Sequence, residues 1–254
     1  LANNVIASNS LTMTQGNIDA GSNKITLGTS TAAIGTLNYT AGAIIGKFER
    51  WLTSTGGTAR LFPVGTATVY RPATFTATTI VGGTLIGQFI SGDPGSSGLT
   101  LTESSLNITN QFTEGYWDFT AANSLTSTNY RIDLTGTGFT SYGLLDNVRV
   151  LKRTNSGSAW ALQGTHAALS GSTAARTALN GIATAQFGFG HITCTGQSAT
   201  VTQPTTTDVW QGSTGNEIIR IAVNSSAATC SDNISQFNFT TAGTPGCTAA
   251  STDI

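Results

Sequence analysis

Apolar and polar residues alternate along most of this chain, and the alternating runs lengthen once, near residue 46. Before that point they are short: Leu11-Thr12-Met13, Ile25-Thr26-Leu27 and Leu37-Asn38-Tyr39, separated by Gly/Asn/Ser/Thr-rich stretches at 16–23 and 28–35. A period of two over so few residues predicts strands of about three to five residues joined by turns, as in the coils of a β-solenoid or a small meander. Such coils need stacked neighbours to bury their apolar side. Residues 1–45 are therefore expected to form a short-stranded, solenoid-like segment that caps the next unit or continues another.

The two patterns meet in Gly46-Lys47-Phe48-Glu49-Arg50-Trp51, Arg60-Leu61-Phe62-Pro63-Val64-Gly65 and Tyr70-Arg71-Pro72. Within them Arg60, Phe62, Pro63, Gly65, Tyr70, Arg71 and Pro72 are expected to form a structural junction between two kinds of β-structure. Pro72 has no N–H to donate, which places it at a strand start, an edge or a bulge. Beyond the junction, strands are predicted at 70–79, 84–90, 115–119, 130–134, 147–153, 159–162 and 184–190, at the spacing of a β-sandwich. Alternation turns Phe75, Leu85, Phe89, Trp117, Phe119, Ile132, Leu134, Val148, Val150, Trp160, Phe187 and Phe189 inward. The one segment read as a helix is 167–183, against the weak propensity of its glycines and threonines. The fold class is all-β, with 46–192 a β-sandwich domain and 193–204 a linker. Residues 205–254, with strands at 209–211, 217–224 and 234–240, read as a partial second sandwich. Its missing strands are expected downstream, or from another chain by strand addition.

Composition narrows the function. Of 254 residues only 9% are charged, and the formal net charge is −1; ordinary domains carry about 25% charged residues. Neither a basic nucleic-acid surface nor a polybasic membrane surface fits so few charges. No apolar run approaches the ~20 residues of a membrane-spanning helix. Apolar and β-branched residues recur throughout, as in a folded β-protein rather than a disordered chain. The chain begins at Leu1 with no basic-then-apolar leader and has one methionine, Met13, so it reads as a processed or excised piece. Cys194, Cys230 and Cys247 show no zinc-ligand spacing. In an oxidising compartment one disulfide is expected and three pairings are open. Cys230 with Cys247, flanking strand 234–240, is favoured, worth roughly 3 kcal/mol by chain entropy.

Several pieces carry a family resemblance. Leu11-Thr12-Met13-Thr14-Gln15-Gly16-Asn17-Ile18-Asp19, Asn23-Lys24-Ile25-Thr26-Leu27-Gly28, Gly46 to Trp51 and, most specifically, Phe62-Pro63-Val64-Gly65-Thr66 with Tyr70-Arg71-Pro72 resemble a module of very large secreted Bacteroidetes surface proteins exported by type IX secretion. Trp210-Gln211-Gly212-Ser213-Thr214-Gly215-Asn216-Glu217-Ile218-Ile219-Arg220-Ile221 and Phe237-Asn238-Phe239-Thr240 look like the start of a β-sandwich found N-terminal to some bacterial sialidases and in multidomain surface proteins. The resemblances imply export and a place in a long modular adhesin or filament. They imply no catalytic residue, because the sialidase link concerns a neighbouring domain.

The residues offer little chemistry. A glycosidase needs two carboxylates roughly 5–10 Å apart; Glu103, Glu114 and Asp118 are the nearest sequence cluster and read as solvated strand-end acids. No G-x-S-x-G elbow occurs. His166 and His191 lack acidic or cysteine neighbours at ligand spacing, and Asp146-Asn147 and Asp232-Asn233 are weak oxygen donors for calcium. Tyr116, Trp117 and Trp160 are candidates for a sugar-stacking platform, although alternation reads such aromatics as core. Arg50, Arg60 and Arg71 are read as ties from loops to carbonyls or to Glu49. The expectation is a non-enzymatic structural repeat of an extracellular, cell-surface adhesin or filament, without metal or cofactor. It would self-associate or continue into neighbouring β-modules, with no nucleic-acid partner and no membrane insertion. The alternative is a carbohydrate-binding module accessory to a secreted glycoside hydrolase, taking surface glycans.

Overall fold

The computed structural model describes residues 1–141, 148–193, 198–202, 214 and 219–224. Every regular element among them is a β-strand, and no helix occurs among the described residues. The first five strands are β1 (Val5–Ala7), β2 (Ser10–Met13), β3 (Ile18–Leu27), β4 (Thr36–Tyr39) and β5 (Ile44–Leu52). They alternate between two sheets: β1, β3 and β5 pair in parallel, and so do β2 and β4. Parallel pairing this close in sequence requires the chain to leave each sheet, cross to the other and return one strand further on. Thr12 thus stands beside Asn38, and Ile18 beside Ile44.

The corners show why Gly and Asn recur. Asn17 accepts a hydrogen bond from the Ala43 N–H (2.9 Å) and donates to the Ala67 carbonyl (2.8 Å), stitching three successive turns. Gly42, at φ +95°, lies so close under the preceding turn that a Cβ would sit 1.8 Å from the Gly16 carbonyl oxygen. Only glycine fits both that backbone and that approach.

At β5 the pairing changes sense. One edge of β5 runs parallel to β3; the other runs antiparallel to β8 (Gly83–Ser91). The Phe62-Pro63-Val64-Gly65 segment touches strands of both regimes. β6 (Arg60–Phe62) pairs antiparallel with β7 (Ala73–Val81), and two residues on Val64 makes a parallel bridge to Ile44. The boundary expected at 45/46 falls inside β5, and the sheet is hydrogen-bonded across it.

The remaining strands are antiparallel: β9 (Leu101–Glu103), β10 (Leu106–Gln111), β11 (Gly115–Ala122), β12 (Thr126–Thr135), β13 (Val148–Arg153), β14 (Thr165–Ser170), β15 (Thr173–Leu179), β16 (Thr184–Thr193), β17 (Ser198–Thr202) and β18 (Arg220–Asn224). A nine-stranded sheet runs β1-β3-β5-β8-β11-β16, and β16 is bordered on its far edge by β13. β10 and β11 follow one another along the same edge of β16: Phe187 stands between Trp117 and Lys152, Gly190 between Gln111 and Arg149. The second sheet has the order β14-β15-β12-β7-β6.

Inner faces of both sheets contribute to one apolar core. Phe62 meets Phe48 and Phe119 edge-on at 5.8 and 5.3 Å, Phe119 meets Phe187 at 6.0 Å, and Phe187 meets Tyr130 at 6.5 Å. Met13, Ile25 and Leu27 from the parallel strands join the same core. All the residues that alternation turns inward are buried.

Three expectations need correction. Segment 167–183 is not a helix: it lies mostly within the hairpin β14–β15, turned at Gly171 (φ +57°), with β15 paired to β12. Its alanines suit a strand as well as a helix, and the neighbouring strand decides, since tertiary pairing overrides weak propensity. Segment 159–162 contributes only an isolated bridge, Ala161 to Lys152. Within the expected linker, Ser198–Thr202 is a strand paired to β18. Strands predicted at 209–211 and 234–240 lie outside the described residues.

Candidate functional site

The junction motif is held mainly by packing and main-chain bonds. Arg71 donates its N–H to the Val64 carbonyl (2.9 Å), and its own carbonyl accepts the Trp117 indole N–H (2.8 Å). Its guanidinium lies 4.2 Å from the centre of the Phe139 ring and 5.6 Å from that of Phe89. Nε and Nη1 have no hydrogen-bond acceptor among the described residues. The expected tie to a carbonyl is therefore replaced by a cation on aromatic faces. Tyr70 stacks on Tyr39 of β4 at 5.4 Å, with the rings 14° apart, so the motif also clasps the parallel strands. Burial raises the Tyr70 phenol pKa well above its ordinary value, and the neighbouring Tyr39 adds to that.

Beside this clasp lies a groove of about 690 Å³ between β4 and β6, floored by Arg50 of β5. Arg50 follows Phe48 in the inward register, and its Nη1 donates to the Leu61 carbonyl (2.8 Å), a tie of the expected kind. Its Nε has no acceptor among the described residues. Glu49 is not its partner: that carboxylate faces the other way and pairs with Lys24 (2.7 Å) and Thr26 (2.8 Å). Burial, with the adjacent charge of Arg60 acting in the same direction, draws the Arg50 pKa down to about 10. Two guanidinium groups thus line one groove with no carboxylate paired to either among the described residues.

The three aromatics proposed as a stacking platform do not share a face. Trp117 is 0% exposed and sits in the main core. Trp160 is 2% exposed and lies on the opposite side of the nine-stranded sheet, in a small cluster with Ile108, Leu151 and Ile192. A Cβ on Gly188 would come within 3.1 Å of its ring, so the strand beneath is bare where the indole rests. Tyr116 is half-buried. Arg153 lies near both rings, 4.2 Å from the Trp160 centre and 5.5 Å from that of Tyr116, and donates to Gln186 and the Pro94 carbonyl. A stack of this kind consolidates a strand surface. It leaves no open indole face for a sugar.

The acids are likewise engaged. Asp118 accepts from Gln88 (3.1 Å) and Gln186 (3.0 Å), its cross-strand partners on either side. Glu114 accepts from the Thr140 N–H and from the N–H and hydroxyl of Ser141. Burial alone would raise its pKa; these donors hold it below the ordinary carboxylate value. Glu103 bridges Arg149 (2.9 Å) and Arg176 (2.6 Å), and those cations, against the effect of burial, keep it ionised to lower pH. His166 pairs across strands with Arg176, and burial lowers its pKa, as it does that of His191. No group of three or more His, Cys, Asp or Glu suited to a metal occurs among the described residues. Cys194, Cys230 and Cys247 lie outside them, as do Asp146-Asn147 and Asp232-Asn233.

Sequence reasoning missed Lys152. It takes the inward register of Val148 and Val150, and its Nζ donates to Gln163 (2.7 Å), to the Gly181 carbonyl (2.8 Å) and to the Asn180 carbonyl. Burial lowers its pKa to about 8. The alternation of β13 was the available signal.

No family model, curated protein or solved structure matches the chain.

Proposed function

We propose that this chain is a non-catalytic structural module of an extracellular cell-surface adhesin or filament. In this reading the two larger sheets form a β-sandwich, and the parallel strands form a solenoid-like extension of one of them. One observation carries it: the parallel ladder ends at β1, whose outer edge has no strand partner among the described residues and whose Ile6 is 63% exposed. An open edge bearing apolar side chains is a template for another strand. The added strand would come from a preceding coil or from a neighbouring module. Low charge supports the reading, because neutral Thr/Ser/Asn surfaces stack without long-range repulsion. So does the resemblance of residues 11–78 to modules of secreted surface proteins.

Electron microscopy of the purified chain, alone and as Ile6→Lys, tests this. End-to-end chains or filaments that shorten to single particles in the variant are expected. Single particles of the unmodified chain at every concentration would overturn the association.

A further inference from the structure

We propose that the groove between β4 and β6 binds a carboxylate-bearing sugar, with Arg50 and Arg60 receiving its carboxylate. The proposal is independent of the structural role above and goes beyond it. Arg50 is only 5% exposed; its Nη1 is held by the Leu61 carbonyl, but its Nε has no acceptor and no acid neutralises its charge among the described residues. A buried cation is costly unless it is paired. Here a second guanidinium, Arg60, lines the same groove and adds like-charge repulsion. An oxyanion between the two would remove both penalties at once. The planar guanidinium fork matches a carboxylate in particular, two donors to two oxygens.

The rest of the groove indicates what bears the carboxylate. At about 690 Å³ it is far larger than an inorganic anion needs and falls within the range of small-molecule sites. Leu37 and Tyr39 supply apolar wall, and the exposed polar residues Thr36 and Asn9 also border the groove. Apolar wall beside two guanidinium groups suits a sugar ring that carries a carboxylate. β4 has only β2 as a strand partner among the described residues, and β6 only β7, so the gap between them is open to a ligand.

The test is calorimetric titration of the 254-residue chain with glucuronate, glucose and inorganic phosphate. Saturable binding of glucuronate alone is expected. Arg60→Gln, at a half-buried position, should weaken it at least tenfold with the unfolding midpoint unchanged. No saturable glucuronate binding, equal binding of glucose, or unchanged affinity in Arg60→Gln would each overturn the site. Phosphate binding as tight as glucuronate would overturn the sugar-acid assignment.

Discussion

The parallel strands and the antiparallel body are built from the same polar-rich alphabet but hold together differently. Between β1 and β5, many side chains are exposed, and the ordering devices are main-chain ladders and corners such as Asn17 and Gly42. In the body the aromatic chain from Phe48 to Tyr130 and the two rings around Arg71 form a continuous interior. One region is specified by turn geometry, the other by packing. They touch through β5, through Tyr39 on Tyr70, and through the few parallel-strand side chains that enter the shared core.

The contrast is broken most severely from the body side. Phe119→Ala removes a ring in contact with both Phe62 and Phe187 and should cost about 3–5 kcal/mol, read by urea unfolding. If the two regions fold as one unit, hydrogen-exchange protection falls in residues 1–45 as well. If they are separate, it falls only beyond β5.

Glu103→Gln comes next. It leaves the nearly fully buried Arg176 and its neighbour Arg149 without their shared carboxylate, an expected loss of about 1–3 kcal/mol at neutral pH. The sign with pH is fixed by linkage. The folded-state pKa of Glu103 lies below its unfolded value, so its contribution is present above the unfolded pKa and is lost as pH falls through the folded one. Unfolding curves from pH 6 to 3 should show a shallower loss of stability in the variant than in the unmodified protein. A parallel pair of curves would contradict this electrostatic account.

Gly42→Ala attacks the parallel strands alone. It meets the Gly16 carbonyl and an unfavourable φ, for roughly 1–3 kcal/mol. Exchange should quicken around residues 16–18 and 42–44 first. Asn17→Ala, which removes two bonds between turns at a partly solvent-exposed corner, should cost least, about 1 kcal/mol.

How far the sequence could be read follows from the same contrast. Alternation found the body's interior because large apolar side chains announce their face: Phe75, Trp117, Ile132 and Phe189 are all buried. The junction motif stood out because Pro63 and Pro72 fix the backbone φ and lack an N–H wherever they occur. The hairpin within 167–183 was not legible, because alanines and threonines do not distinguish a strand from a helix until β12 lies alongside. β9 and β10 were missed for want of a turn signal as clear as a glycine pair. Trp160 was placed inside correctly, but on the other face of the sheet, since period two gives a side and not which side holds the main core. The Arg50–Arg60 groove was least accessible of all. It exists only because β5 and β6, separated in sequence by a glycine turn, meet from different sheets through Arg50 on the Leu61 carbonyl, with β4 in a third sheet alongside.

The stacked corners have a further consequence. Asn17 meets Ala43 one full circuit later, so each circuit of the chain adds one strand to the ladder and returns the backbone to an equivalent corner. Duplicating a circuit, residues 17–42, would lengthen the module by about 4.8 Å, the spacing between paired strands, without altering a residue of the body. Length in this protein is therefore a heritable quantity that can change in whole steps, like links in a chain.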